Sequence, residues 1–154
     1  MPIRRLDPQR LLAAVDQQRA ELGDPAWAGP LTAEALGDGC VAAVAAALDS
    51  GLVPCREALR AAAMRLLDRL VARAPGRAVE VRIPPFAAAQ CVEGPRHTRG
   101  TPPNVVETDA ATWVRLATGR LAWASATADG LIRASGRRAD LAAYLPLPSS
   151  DAPG

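Results

Sequence analysis

Apolar residues recur at helical spacing through the first 75 residues of the chain. In the first helix, Leu11 and Val15 follow the pair Asp7-Pro8, which suits a helix N-cap followed by proline in the first turn. Gly23 ends this first segment. A second, alanine-rich helix is predicted over residues 32–49, and a break at Gly37-Asp38-Gly39 is left open.

The clearest helix opens at Pro54 and stops at Ala74-Pro75-Gly76. Its apolar residues form one stripe, and its charged residues lie away from that stripe. The stripe comprises Leu59, Ala63, Leu66, Leu67 and Leu70.

After residue 76 the period changes from helical to two, which predicts strands. Residues 79–83 alternate apolar and polar side chains, and Pro84-Pro85 breaks the ladder because neither proline can donate a backbone hydrogen bond. Further strands are predicted at 86–92, 105–108 and 131–135. Three consecutive strands without a helix between them favour antiparallel pairing.

Short helices complete the second half of the chain. Asp109 is placed to cap a helix that ends at Gly119, and a second helix is predicted from Leu121 to Asp129. A last helical turn precedes Pro146. The pattern therefore predicts an α+β fold, with a mainly antiparallel sheet covered on one face by helices.

Composition excludes several classes of function. The net charge of +2 on 34 charged residues is nearly balanced, which argues against a nucleic-acid-binding surface. Every basic residue is arginine, as a GC-rich genome would produce, so clusters of arginine carry little weight. The residues after Met1 form no apolar signal segment, and no run is apolar and long enough to span a membrane, so a soluble cytoplasmic protein is expected.

The cysteines do not indicate a metal site. Cys40, Cys55 and Cys91 are far apart and form no C-x-x-C pair or Cys/His cluster. Buried, reduced thiols are the expected state. We therefore predict no metal and no cofactor.

The most unusual stretch is the polar, proline-braced segment 91–109. It holds the only histidine, His97, between Arg96 and Arg99. A catalytic histidine needs a carboxylate or hydroxyl partner, and no nucleophile motif accompanies this one, so catalysis is disfavoured. Two readings stay open: a long connection with salt-bridged arginines, or a binding loop whose arginines contact an anionic group.

Trp113 and Trp123 lie on the apolar sides of the two short helices, which allows two interpretations. They are either core residues or the wall of an apolar cavity between helices and sheet. A core built largely of alanine has little side-chain volume to fill that space, which favours a cavity.

Residues 79–147 resemble the bacterial, chiefly actinobacterial, branch of the sterol carrier protein family, with its type 2-like domain. They are also similar to the carrier-type domain of mycothiol-dependent maleylpyruvate isomerase-like proteins. The segments that carry the resemblance are Pro84-Pro85-Phe86, the run from Gly94 to Thr108, Thr112-Trp113, Leu116-Ala117, Gly119-Arg120, Trp123, Gly130, Gly136, Ala139-Asp140-Leu141 and Tyr144-Leu145-Pro146-Leu147.

The resemblance implies a five-stranded, mainly antiparallel sheet with helices over one face and a tunnel for sterols, fatty acyl chains or other lipids between them. The pattern of the residues predicts four strands, and a fifth would lie near 97–104 or be absent. The expected organisation is an N-terminal helical extension (1–52), a sterol carrier protein-like domain (53–147) and a disordered tail (148–154). The extension would cover the tunnel or mediate a homodimer.

The expected function is a non-enzymatic carrier for an apolar small molecule, without stable membrane insertion. The proposed tunnel wall comprises Phe86, Val105, Trp113, Leu116, Trp123 and Leu131. Arg96, His97 and Arg99 would form a rim for a polar head group. Two alternatives remain: an enzyme or accessory domain that uses Cys91 or His97, and an interaction module whose pocket is closed.

Overall fold

The computed structural model describes residues 6–94 and 104–150, in which five α-helices accompany a four-stranded sheet. The helices are α1 (Pro8–Glu21), α2 (Ala33–Asp49), α3 (Arg56–Arg73), α4 (Ala110–Ala117) and α5 (Trp123–Ala128). The strands are β1 (Val79–Ile83), β2 (Ala87–Cys91), β3 (Val105–Glu107) and β4 (Arg133–Ser135), and a 3₁₀ turn follows at Ala142–Tyr144. The predicted α+β class is confirmed.

Side-chain caps start the N-terminal helices. The Asp7 carboxylate accepts a hydrogen bond from the backbone N–H of Gln9, and the Thr32 hydroxyl accepts one from Ala35. Helix α2 runs without a break through Gly37 and Gly39. At Gly39 an added Cβ would stand 2.6 Å from the Trp27 ring, so this glycine allows close packing and does not interrupt the helix.

Helix α3 lies at the centre of the packing. Helices α1, α2 and α4 and strand β2 all contact it, and its small side chains let these neighbours come close. Its buried residues are Ala58, Ala61, Ala62, Ala63, Met64, Leu66, Leu67 and Leu70. Apolar residues of α1 and α2 belong to the same buried cluster as those of the sheet. The boundary placed between residues 52 and 53 stays a prediction.

Polar contacts also join the N-terminal helices to the rest of the molecule. Arg65 on α3 pairs with Asp38 on α2 at 2.8 Å. The side-chain oxygen of the buried Gln18 accepts a hydrogen bond from the backbone N–H of Cys55 at 2.8 Å. The two N-terminal helices are therefore tied to α3 by polar side chains as well as by apolar packing.

The sheet has the strand order β2-β1-β3-β4. The pairs β1–β2 and β3–β4 are antiparallel, as predicted, whereas β1 and β3 are parallel. The parallel pair arises because β2 and β3 lie on opposite sides of β1, so the chain must pass the start of β1 between them. This crossing explains why the connection after Cys91 is longer than a hairpin needs.

Both described ends of this connection are fixed to the start of β1. The N–H of Val92 donates to the carbonyl of Ala74, and the N–H of Ala78 donates to the carbonyl of Val92. At the other end, Asn104 bonds to Ala78 and Glu80. The fifth strand expected near 97–104 lies outside the described residues except for Asn104, which is not in a strand.

The remaining differences from the sequence predictions concern the type and bounds of short elements. The last helical turn is a 3₁₀ turn, and the strand predicted at 131–135 begins at Arg133. Of the tail predicted to be disordered, residues 151–154 lie outside the described part. No described helix combines the length and the apolar character that crossing a membrane requires.

Candidate functional site

The two faces of the sheet differ in character. Val79, Val81 and Ile83 of β1 are fully buried in the cluster shared with the helices, while Glu80 and Arg82 point the other way. The register extends this division across the sheet, because directly paired residues lie on the same side. An apolar ligand held between layers would lie against the inner face, the side of Val81.

Two of the predicted wall residues lie deep in the interior. Trp113 and Leu116, both on α4, are each 1% exposed. The indole Nε1 of Trp113 donates a hydrogen bond to the carbonyl of Ala63 at 3.1 Å, which fixes the ring against α3. Both side chains are therefore closed off from solvent.

Two further wall residues lie at the margin of the same layer. Trp123 begins α5, is half-buried and packs against the core. Leu131 is 41% exposed, and its carbonyl accepts a hydrogen bond from the Thr108 hydroxyl at 2.8 Å. The four positions thus divide into a buried pair and a pair nearer the surface.

Phe86 lies on the β2 side of the sheet, in the turn between β1 and β2. Its ring is half-buried, and the guanidinium carbon of Arg56 stands 5.1 Å from the ring centroid. This cation–π contact attaches the turn to the first residue of α3. The structure does not bring Phe86 together with Leu131, which bonds to Thr108 just after β3, on the other side of β1 from β2.

Val105 lies on the outer face of the sheet. It pairs with Glu80, whereas its neighbour Val106 pairs with Val81 and is buried. Because the outer face is turned away from the helices, Val105 does not line the space between helices and sheet. The register therefore separates Val105 from the buried residues of the inner face.

The outer face carries a shallow cleft of about 420 Å³. It is lined by Arg82, Val105, Glu107, Ile132, Arg133, Ala134 and Ser135. Its charged side chains are paired within the sheet: Arg82 with Glu80 at 2.5 Å, and Arg133 with Glu107 at 4.0 Å. The hydrogen bond from Glu80 and its charge raise the pKa of Arg82. The cleft is a polar, internally neutralised surface.

The rim residues Arg96, His97 and Arg99 lie outside the described residues. Sequence reasoning missed the polar groups that hold the described end of that loop. The Asn104 side chain is buried; its amide donates to the carbonyl of Ala78 at 2.8 Å and its oxygen accepts from the N–H of Arg138 at 2.9 Å. The sequence signal that could have found this residue is an asparagine that follows the pair Pro102-Pro103 and directly precedes the apolar residues Val105 and Val106.

The thiols are buried and do not suit nucleophilic chemistry. Cys91 lies on the inner face of β2, where burial raises the pKa of its thiol to about 11. Burial raises the pKa of Cys40 to about 12. Both thiols are therefore protonated near neutral pH. No group of three or more metal-ligating side chains occurs within 6–94 and 104–150.

A model of a known protein family matches the second part of the chain. The family model described as bacterial SCP ortholog matches residues 55–147, more than half of the chain. The matched region starts one residue before α3 and ends after the 3₁₀ turn, so it contains the whole sheet. The curated proteins include no significant match to the chain. Proteins of this sterol carrier type are generally carriers and not enzymes. The chain belongs to the bacterial SCP ortholog family, and residues 55–147 form a bacterial sterol carrier protein-like domain.

Proposed function

We propose that the protein is a non-enzymatic carrier of an apolar small molecule, such as a fatty acyl chain or a sterol-like lipid. The ligand would lie between the inner face of the sheet and helices α3 and α4. The affinity would come from removing hydrocarbon from water, at roughly 25 cal/mol per Å² of buried apolar surface.

The observation that carries this proposal is that helices cover one face of the sheet, in a domain that belongs to the sterol carrier family. Only apolar side chains of β1 and β3 face the helices: Val79, Val81, Ile83 and Val106. Opposite them α3 presents mainly alanine and leucine. Short side chains on the helical side favour the accommodation of a ligand by small shifts of helices.

The refined wall consists of Trp113 and Leu116 inside and Trp123 and Leu131 at the margin. We keep Arg96, His97 and Arg99 as the proposed rim, because the described ends of their loop lie at the start of β1 beside the sheet. A charged head group bound there would stay near water while the hydrocarbon is buried.

Tryptophan fluorescence tests the proposal. Trp27 lies in the N-terminal half, so a Trp27→Phe background leaves Trp113 and Trp123 as reporters. Titration with oleate, palmitoyl-coenzyme A and cholesterol should give a saturable change for at least one ligand. Trp113→Phe and Trp123→Phe in that background then show which indole reports. A panel without any saturable change contradicts the carrier function.

A second function has its own support. Trp113 and Leu116 are almost fully buried, as expected if the interior is permanently closed. The domain would then be an interaction module whose pocket no ligand enters. The same titration distinguishes the two, since a closed module gives no saturable change with any lipid.

The enzymatic alternative has less support in the described residues. Cys91 is completely buried and its pKa is raised, so its thiol is neither accessible nor ionised at neutral pH. His97→Ala tests the remaining part of this alternative, because it would abolish turnover of any substrate that depends on the imidazole.

A homodimer through the N-terminal helices stays a prediction. One face of α1 and α2 is already used to cover α3, and Leu31, before α2, is 64% exposed. Light scattering after size exclusion, with Leu31→Ser as the variant, tests whether this region joins two copies.

A further inference from the structure

The cover over the inner face of the sheet becomes thin towards β4. Val81 on β1 and Val106 on β3 are fully buried, but Ala134, which pairs directly with Val106, is exposed. The elements nearest in sequence give little cover, because α5 buries only Ala126 and the 3₁₀ turn buries no residue. Within the described residues, the sheet is thus covered at β1 and β3 and exposed at its β4 edge, where Ile132 and Ala134 also line the cleft on the outer face.

Apolar side chains lead from this margin into the core. Trp123, Ile132, Tyr144 and Leu145 are half-buried and pack against the buried cluster. Leu131 is more exposed than these four. A hydrocarbon chain that entered at this margin would therefore meet apolar side chains that pack against the buried cluster containing Trp113.

Few hydrogen bonds hold the segment that covers this path. The carbonyl of Leu131 accepts from the hydroxyl of Thr108, and its N–H donates to the carbonyl of Ala126. The first of these joins Thr108, the residue after β3, to the segment 121–132, and at the start of the segment the N–H of Leu121 donates to the carbonyl of Arg115. A segment with few buried side chains and few anchors opens at lower free energy than the core around it.

We propose that an apolar ligand passes between α5 and β4, by outward displacement of residues 121–132. This inference rests on the proposed carrier function and adds the route by which the ligand enters. Such a route is required because Trp113 is buried and a ligand can reach it only if part of the structure moves. The Thr108–Leu131 hydrogen bond is the latch of this portal. The ligand class is an amphiphile whose leading part is a hydrocarbon chain, because the margin offers apolar side chains.

The experiment combines hydrogen exchange with stopped-flow binding of oleate. Thr108→Val keeps the side-chain shape and removes the latch, and Thr118→Val is the matched control, because its hydroxyl bonds only to Val114 within α4. We expect Thr108→Val to raise the exchange of amides 121–132 and the association rate of oleate on the order of 2- to 10-fold, with Thr118→Val unchanged. Saturating oleate should protect the same amides.

Saturable binding with equal association rates in wild type and Thr108→Val would overturn the portal and leave the carrier function standing. Protection confined to α1 and α2 would do the same. Absence of saturable binding in the wild-type protein would overturn both the carrier function and the portal.

Discussion

Trp113 donates a hydrogen bond from its indole nitrogen to the backbone carbonyl of Ala63, 3.1 Å away, and this bond joins α4 to α3 inside the core. The ring is fully buried, so it contributes both apolar burial and a satisfied polar group. A tryptophan held in this way is part of the framework of any cavity that forms beside it.

Substitution of Trp113 should be costly. Trp113→Phe removes the hydrogen bond and some ring volume, and we expect a loss of about 1–3 kcal/mol in the free energy of unfolding. Trp113→Ala should cost about 3–5 kcal/mol. Urea denaturation followed by far-UV circular dichroism measures both. A loss below about 0.5 kcal/mol for Trp113→Phe would show that neither the hydrogen bond nor the packing matters.

Asn104 should be the most sensitive polar position of the described residues around the long connection. Its buried side chain satisfies backbone groups of Ala78, which is buried, and of Arg138, which is exposed, and both residues are distant in sequence. Asn104→Ala leaves both groups without this partner and should destabilise the fold by about 2–4 kcal/mol. Gln90→Ala, an exposed amide on β2, is the control and should change stability by less than about 0.5 kcal/mol. Equal melting temperatures for the two variants would contradict this role.

Gly39 should not tolerate a side chain although it lies inside a helix. Alanine would gain about 1 kcal/mol of helix propensity, but its Cβ would stand 2.6 Å from the Trp27 ring. We expect a net loss of about 1–3 kcal/mol. Gly37→Ala is the control, since it meets only the flexible chain of Arg65 at 3.2 Å and should be nearly neutral. In a Trp27→Ala background, Gly39→Ala should become neutral or stabilising; a loss that persists there would place its cause elsewhere.

Alkaline pH should destabilise the protein through its thiols. The folded-state pKa of Cys40 is raised from 9.0 to about 12 by burial, so the folded state holds this proton more tightly than the unfolded state. The stabilisation is therefore complete below pH 9 and is lost as the pH rises towards 12. Near pH 10.5, Cys40 alone should lower the free energy of unfolding by roughly 2 kcal/mol relative to its value below pH 9.

The absence of lysine makes this effect easier to measure, because lysine side chains would otherwise titrate in the same pH range. Cys40→Ala should make the unfolding free energy depend less steeply on pH between 9 and 11, and the remaining dependence should come in part from the buried Cys91 thiol, whose pKa is also raised. An unchanged slope in Cys40→Ala would mean that the thiol does not contribute.

The elements that could be predicted are those set by neighbouring residues. The alternation in β1, the caps at Asp7 and Asp109 and the stop after Ala74 depend on side chains within one or two turns. The parallel pairing of β1 and β3 could not be predicted, because it depends on where a long connection crosses the sheet. Gly37 and Gly39 suggested a helix break since the Trp27 and Arg65 contacts are not visible in the local pattern.

The candidate site was harder to predict for the same reason. Val105 and Val106 are both apolar, so alternation alone does not say which one faces the helices, and the register places Val106 inside. Asn104 acts through residues 26 and 34 positions away. Trp113 and Leu116 were recognisable as one apolar side of a helix, but their complete burial follows from the packing of α3 against α4.

Native mass spectrometry of the freshly purified protein tests the carrier function most directly. If the protein is a carrier, a fraction of the molecules should be heavier than the 16.0 kDa chain by the mass of one apolar compound, and organic solvent should release that compound. Delipidated protein should regain a one-to-one complex when oleate or cholesterol is added. A single peak at the mass of the bare chain, both before and after addition of a lipid panel, would contradict the carrier function.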